Sequence, residues 1–384
     1  MKTLPRVILL IETSRSYGRE LLHGIARYSR LHGPRTFYHE SRDLKSAIPK
    51  IKTWNANGII TRTTPEYQKL LSLGIPVVFV LHYYDPEFPE NIPLLVAENI
   101  KVGEMAAKHL RDRGLRHYAY CGFDEFIWSN DRYEGFTSLL SEYGYSVSRY
   151  QNPDMYEYKN WDKEIQSIAE WIKKLSKPVG IMACNDDRGQ HVIEACKLAG
   201  FSVPDEVSVI GVDNDTLACD LCDPPLTSVA LNVENGGYLA AELLDRLIAG
   251  EPMNGQRIVI SPTHIVSRLS TDTVSVDDRQ VARAIRYIRQ NARENICVMD
   301  VVEATSLSRR NLEMRFRKIL NRSILKEIRR VRADLIVNLL METDLSVAEI
   351  AYSLHFSDVE HIARYFRKEK GVSLQQYRKI HRVR

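Results

Sequence analysis

The chain has 384 residues, 44% apolar and 27% charged, with a formal charge of +4. It is too long for one ordinary core, and its apolar and charged fractions are those of a soluble globular protein, so two or three soluble domains are expected. No apolar run approaches the roughly 18 residues of a membrane span, which argues against a membrane protein.

The first strand-like run, RVILLIET, is short, ends at Glu12 and leads into a polar loop. It has no small-residue cleavage site, so no signal peptide is expected and the cytoplasm is the expected location. Up to about residue 265 short β-rich runs (RVILLI, NGIIT, IPVVFVL, HYAYCG, GIMAC, VSVIGVD) alternate with amphipathic stretches such as GRELLHGIARYSRLH, KVGEMAAKHLRDRG, RYEGFTSLLSEYG and RGQHVIEACKLAG. This alternation predicts an α/β fold of doubly wound parallel sheets covered by helices, with ligands outside the carboxyl ends of the strands. Gly200 and Gly250 stand just past periodic segments, where helices end.

Six cysteines are scattered along this body and its tail. Cys219 and Cys222 form a lone C-x-x-C without a second pair or a histidine at ligand spacing. A buried thiol pair is the stronger reading and a zinc or redox site the weaker one; whether the pair has a role stays open.

After residue 270 the alternation stops. TDTVSVDD is polar, and a linker is expected over 271–278, separating a body of 1–270 (two lobes, boundary near 115) from an all-α domain of 279–384. Charge divides the same way: residues 277–384 hold 23 Lys+Arg against 14 Asp+Glu, the rest 30 against 35. An acidic body with a basic tail points to a polyanionic partner.

The tail contains two similar helix pairs. In the first, Val298, Val301, Val302 and Ala304 make an apolar face, Thr305-Ser306-Leu307 turns, and Ser308 caps a helix with Leu312 and Phe316 inside and Arg309, Arg310, Glu313 and Arg317 outside. In the second, Ile350, Ala351 and Leu354 precede a turn at His355, and Ser357 is the expected cap. Val359, Ile362, Ala363 and Phe366 are expected inside; Asp358, Glu360, His361, Arg364 and Lys368 outside. LKEIRRVRADLIVNLLMETD joins the pairs as one helix, which can hold two recognition helices at a fixed separation for major-groove reading.

The second pair, IAYSLHF…IARYFRKEKGVSLQQYR, resembles the AraC-type DNA-binding domain. That resemblance implies operator DNA as partner and DNA contacts at Arg309, Arg310, Glu313, Asp358, Glu360, His361 and Arg364. Ser306 and His355 stand where the family's turns carry glycine, and Leu374 replaces its closing proline. The body resembles the effector domain of LacI/GalR-type regulators, which has a two-lobed periplasmic-binding-protein-like fold. The matching stretches include ETSRSYGRELLHGIARY, SNDRYEGF, MACNDDRGQHVIEA and VPDEVSVIGVDN. The order of the two domains looks like that of the xylose-operon regulators.

These resemblances imply a sugar-responsive transcription regulator, most readily an activator of pentose use with D-xylose as effector. The implied assembly is a homodimer in which ligand closure of the lobes re-places the tails, with RNA polymerase a further partner. Ligand contacts are implied at Arg132, Asn185, Asp186 and Asp213, with Ser14 and Arg15 weaker. Residue chemistry agrees: carboxylates and guanidinium forks suit vicinal hydroxyls, and Tyr17, Phe126 and Trp128 can stack on a sugar ring. Each has a plainer alternative: Asn185 and Asp186 as a helix cap, Arg132 as a surface ion pair, Asp213 as a turn former, Tyr17 and Trp128 as core. The competing functions are another small polar effector for the same architecture, or a transport-type binding protein. No nucleophile, metal or cofactor constellation appears, so neither an enzyme nor a cofactor is expected.

Overall fold

The alternation of β-rich runs and amphipathic stretches builds two sheets of six strands each. The structure, a computed structural model, describes residues 4–40, 51, 53–83, 85–151, 161–272 and 278–381. In the first lobe lie β1 (Arg6–Leu10), α1 (Ser16–His32), β2 (Thr36–His39), β3 (Gly58–Arg62), α2 (Gln68–Leu71), β4 (Val77–Val80) and β5 (Leu94–Ala97). Helix α3 (Asn99–Arg111) carries the chain into the second lobe. There follow β6 (His117–Cys121), α4 (Ile127–Glu142), β7 (Val147–Arg149), α5 (Trp161–Lys173), β8 (Val179–Ala183), α6 (Asp186–Ala199), β9 (Val207–Val212), α7 (Thr216–Leu221) and β10 (Thr227–Leu231). Helix α8 (Val233–Ile248) returns to the first lobe for β11 (Arg257–Ile260), and β12 (Pro262–Val266) ends in the second.

The first sheet, ordered β11-β5-β4-β3-β1-β2, is wholly parallel; the second, β12-β10-β9-β8-β6-β7, has β12 antiparallel at its edge. Every residue of β4, β8 and β9 is buried, because helices cover both faces. That double burial is why these strands read as nearly continuous apolar runs, broken only by Ser208 in β9.

A single lobe boundary near residue 115 does not describe this chain. The first crossing falls at Glu98, because α3 buries Val102, Ala106, Ala107 and Leu110 in the second lobe. Two more crossings follow, at Asn232 and Ser261, and the three lie side by side. Asn232 N–H donates to the Ser261 carbonyl (3.0 Å), Glu98 N–H to the Ile260 carbonyl (2.9 Å), and the Ser261 hydroxyl to the Glu98 carboxylate. Helices α3 and α4 touch backbone to backbone: a Cβ on Gly103 would sit 2.1 Å from the Arg132 carbonyl oxygen, and one on Gly135 2.0 Å from that of Ile100. Only glycine permits that approach.

The tail comprises α9 (Arg279–Gln290), α10 (Val298–Glu303), α11 (Arg309–Leu320), α12 (Ile324–Glu342), α13 (Val347–Ser353), α14 (Val359–Lys370) and α15 (Leu374–His381). It has two small cores, one under α10 and α11 around Leu312 and Phe316, the other under α13 and α14 around Ile362 and Phe366. Helix α12 supplies Ile324 and Ile328 to the first and Ile336, Val337 and Leu340 to the second. Residues 273–277 of the expected linker lie outside the described residues. Thr271, at its start, is already fully buried in the body, and its carbonyl accepts from Arg113 Nε at 2.5 Å.

The tail also rests on the body. Tyr377 donates to the Thr263 carbonyl (2.9 Å), His264 Nε2 lies 2.9 Å from Glu342 Oε1, and Arg322 reaches the Asp112 carboxylate (3.2 Å) and carbonyl (2.8 Å). No helix among the described residues is long and apolar enough to cross a membrane.

Candidate ligand cleft and DNA-reading face

The carboxyl ends of both sheets face each other across the crossings, and Arg132 sits where they meet. It is only 4% exposed, so it is no surface ion pair. Its Nε donates to Asn99 Oδ1 (3.0 Å), one terminal nitrogen to the Cys184 carbonyl, and the other lies 3.4 Å from Asp213 Oδ1. Asp213 takes φ 97° and Asn214 φ 48°, a backbone that non-glycine residues rarely adopt and that clusters at binding loops. Burial holds the Asp213 carboxyl above the usual carboxylate range, opposed by Arg132.

An aromatic wall stands beside this pair. Trp128 lies 5.3 Å from Phe126 in a stacked arrangement and 5.2 Å from the Arg132 guanidinium, and His82 approaches Phe126 at 5.2 Å. Burial, aided by Arg62 and Arg15, lowers the His82 pKa to about 4, so its ring is neutral at pH 7. Tyr17, whose hydroxyl is raised in pKa by burial and by Asp213, completes the group.

Other expected contacts are placed differently. Asp186 is buried, and both carboxylate oxygens are engaged: Oδ1 accepts from the Ser228 hydroxyl (2.6 Å), Oδ2 from the Asp215 N–H (2.7 Å). It braces the Asp213 loop from behind. Asn185 Oδ1 caps α6 by accepting from Arg188 N (2.9 Å). Asn185 therefore has the helix-cap role that was its plainer alternative, whereas Asp186 is a brace that neither reading named. Ser14 is an exposed rim residue whose N–H donates to Glu12 and whose carbonyl accepts from Arg19.

Arg15 is half exposed and pairs with Asp187 of the opposite lobe. Beside it, Asp215 of the second lobe accepts from the Ser16 N–H (2.7 Å) and from Arg19 (2.8 Å) of the first. The N-terminus of α1 is thus capped by a carboxylate from across the cleft, where the helix dipole favours negative charge. Asp215, Asp187, Asn99, Arg62 and His82 were not foreseen in the sequence. Arg62 and His82 had one faint signal, each being the polar residue that ends an apolar strand run.

In the tail, Ser308 caps α11 as expected, its hydroxyl accepting from Asn311 N (3.4 Å). Asp358, not Ser357, caps α14: its Oδ1 accepts from His361 N (2.6 Å) and its Oδ2 from the Ser357 hydroxyl (2.9 Å). The helix consequently starts at Val359, which is 45% exposed instead of inside, because the buried stripe begins at Ile362. His355 takes φ 55°; Ser306 does not need a left-handed backbone. Arg309, Arg310, Asp358, Glu360, His361 and Arg364 are all exposed, while Glu313 is partly covered beside Arg317 (3.7 Å). Both second helices therefore present an uncovered polar and basic face.

Residues 107–271 match the model of the periplasmic binding protein-like domain, and residues 301–380 that of a helix-turn-helix domain. The xylose operon regulatory protein of Escherichia coli is 30% identical over 381 residues, 98% of this chain and 97% of that one. The chain belongs to the family of xylose operon regulatory proteins. Another member, from Haemophilus influenzae, is 30% identical over 97% of this chain and 98% of its own. The solved structure of a xylose-binding transcription activator superposes with a TM-score of 0.63 at 28% identity, covering 99% of both chains. The two-lobed body followed by a helical tail is thus the family's architecture, and the relatives are transcription regulators, not enzymes.

Proposed function

We propose that this chain is a cytoplasmic sugar-responsive transcription regulator that activates genes for sugar use, with D-xylose the first effector to test. The observation that carries the reading is the Arg132–Asp213 pair beside the aromatic wall, between lobes that share three crossings, with two exposed recognition faces on the same chain. A guanidinium and a carboxylate offer paired donors and acceptors to vicinal hydroxyls, and flat rings cover the apolar side of a sugar. Ligand contacts are assigned to Arg132, Asp213, Tyr17 and Trp128, and DNA contacts to Arg309, Arg310, Glu360, His361 and Arg364, with Glu313 and Asp358 at the edge of the reading faces.

The active assembly is a homodimer that places two tails on repeated half-sites and recruits RNA polymerase. A ligand shifts that arrangement only through unequal affinity for its two states. Isothermal titration with aldopentoses, followed by operator gel shifts with and without the sugar that binds, tests the proposal. Saturable heat and a sugar-dependent shift are expected; no heat with any sugar or sugar derivative would overturn it.

A further inference from the structure

Each recognition helix presents a polar and basic face that also carries one exposed large apolar side chain. On α14 it is Val359, 45% exposed; on α11 it is Met314, 64% exposed. Neither joins the core under its own helix, which is built around Leu312 and Phe316 in one unit and Ile362 and Phe366 in the other. Val359 is the first residue of α14, where a branched side chain is only a modest helix former. Packing and propensity leave both side chains unexplained.

Their positions explain them. Asp358 caps α14 through His361 N and Ser308 caps α11 through Asn311 N, so both helices count from equivalent starts. Val359 directly follows its cap, as Arg309 does in the first unit. Counted from the caps, Met314 stands where Arg364 stands in the second unit. Along α11, exposed Arg310, Met314 and Arg317 follow at helical spacing and share one stripe, while Arg315 turns away to Asn311 and Asp278. Such a stripe, with an apolar tip between two guanidinium groups, suits a surface of methyl groups set among phosphates. The N-terminal residues of a recognition helix meet base edges. In the major groove those edges offer one methyl group, the C5-methyl of thymine.

We propose that Val359 and Met314 each read a thymine methyl, so that the operator requires a thymine under each recognition helix. The inference rests on the regulator reading and adds the base that two positions select. Valine has one favoured rotamer in a helix, which makes Val359 the sharper reader; the flexible thioether of Met314 accepts a methyl at more than one place. The order is crossed between the units, apolar then basic along α14 and basic then apolar along α11. The two helices therefore read different base patterns, which fixes the direction of each tail on its half-site.

The test starts from duplexes selected out of a random pool by the full chain, with D-xylose present and absent. Each thymine of the selected site is then replaced singly by deoxyuridine, which removes the methyl and keeps the base pair. Wild type, Val359→Ala and Met314→Ala are titrated against every replaced duplex by gel shift. One replacement is expected to weaken wild type about fourfold, the contribution of one buried methyl, and to leave Val359→Ala unaffected. A replacement at a different thymine should behave in the same way with Met314→Ala. Both substitutions fall on exposed side chains, so melting at or above the wild-type temperature verifies the fold. A variant still weakened by every replacement that weakens wild type would overturn the assignment of its residue. Wild type indifferent to all replacements would overturn both assignments and leave the regulator reading standing. Selection that enriches no sequence would remove the regulator reading as well.

Discussion

The guanidinium of Arg332, on α12, lies 4.5 Å from the centre of the Phe356 ring and donates to the carbonyl of Leu354. A second arm reaches Asn295 Oδ1 at 3.0 Å, in the loop that leads into the first helix-turn-helix unit. One buried side chain of the connecting helix thus holds the turn of the second unit and the loop before the first. Arg332→Met keeps the packing volume but leaves the Leu354 carbonyl unmatched, which costs about 1–3 kcal/mol. A lower urea midpoint for the tail and weaker operator binding are expected, with the ligand titration unchanged. An unaltered midpoint would mean that the turn holds itself.

His355 occupies that same turn at φ 55°, a conformation costing an L-residue roughly 1–2 kcal/mol. Its compensation, Glu294 at 3.5 Å, is weak because both side chains are more than half exposed. His355→Gly should stabilise the tail by about 1 kcal/mol, raising its denaturation midpoint without moving the recognition helix. A lower midpoint would assign the histidine a contact stronger than geometry indicates.

Asp215 joins the lobes through Ser16 N–H and Arg19. A hydrogen bond to a charged group contributes about 1.5–3 kcal/mol, so Asp215→Asn should disfavour the closed arrangement about ten- to a hundredfold. Small-angle scattering should report a larger radius of gyration for the variant, and ligand affinity should fall. Unchanged scattering would show that the crossings alone hold the lobes together.

Burial, with Asp213, Glu234, Glu342 and Asp215 adding to it, raises the Glu20 carboxyl to about 8. The unfolded carboxyl titrates near 4.3. Between those values the folded chain keeps a proton that the unfolded chain releases, so stability falls as pH rises through this window. Glu20→Gln should flatten the melting temperature between pH 5 and 8 and raise it at pH 8. A variant that melts below wild type at pH 8 would contradict the assignment.

Arg364 is exposed on α14 with no ion pair to a carboxylate among the described residues, and a base-edge arginine typically contributes about 1–3 kcal/mol. Arg364→Ala should weaken specific operator binding by that amount and non-specific DNA binding much less. Equal loss on both would make it a phosphate contact.

The sequence made legible those residues whose neighbours declare a strand-to-helix joint. Arg132 and Asp213 were found that way and do face each other. Asn185 and Asp186 carry the same signal but turn inward, since an amide or carboxylate at a helix start can serve the helix as readily as a ligand. Ser357 and Asp358 were equally good caps side by side, and only backbone geometry chooses between them. Arg62 was hidden for the opposite reason, because an arginine among the threonines that end an apolar run looks like an ordinary strand end. The crossing at Glu98 was hidden too: which sheet a helix covers depends on distant partners, not on its own periodicity.

The three crossings set how this protein can be taken apart. Each lobe receives its last strand only after the chain has visited the other lobe, so neither can be lifted out with one cut. Removing 257–266 would strip β11 from β5 and β12 from β10, exposing bare strand edges that invite aggregation. The tail, by contrast, is one uninterrupted stretch with its own two cores, attached through one chain segment and a few polar contacts. In recombination, natural or engineered, the tail is an exchangeable cassette, while the body must be inherited whole.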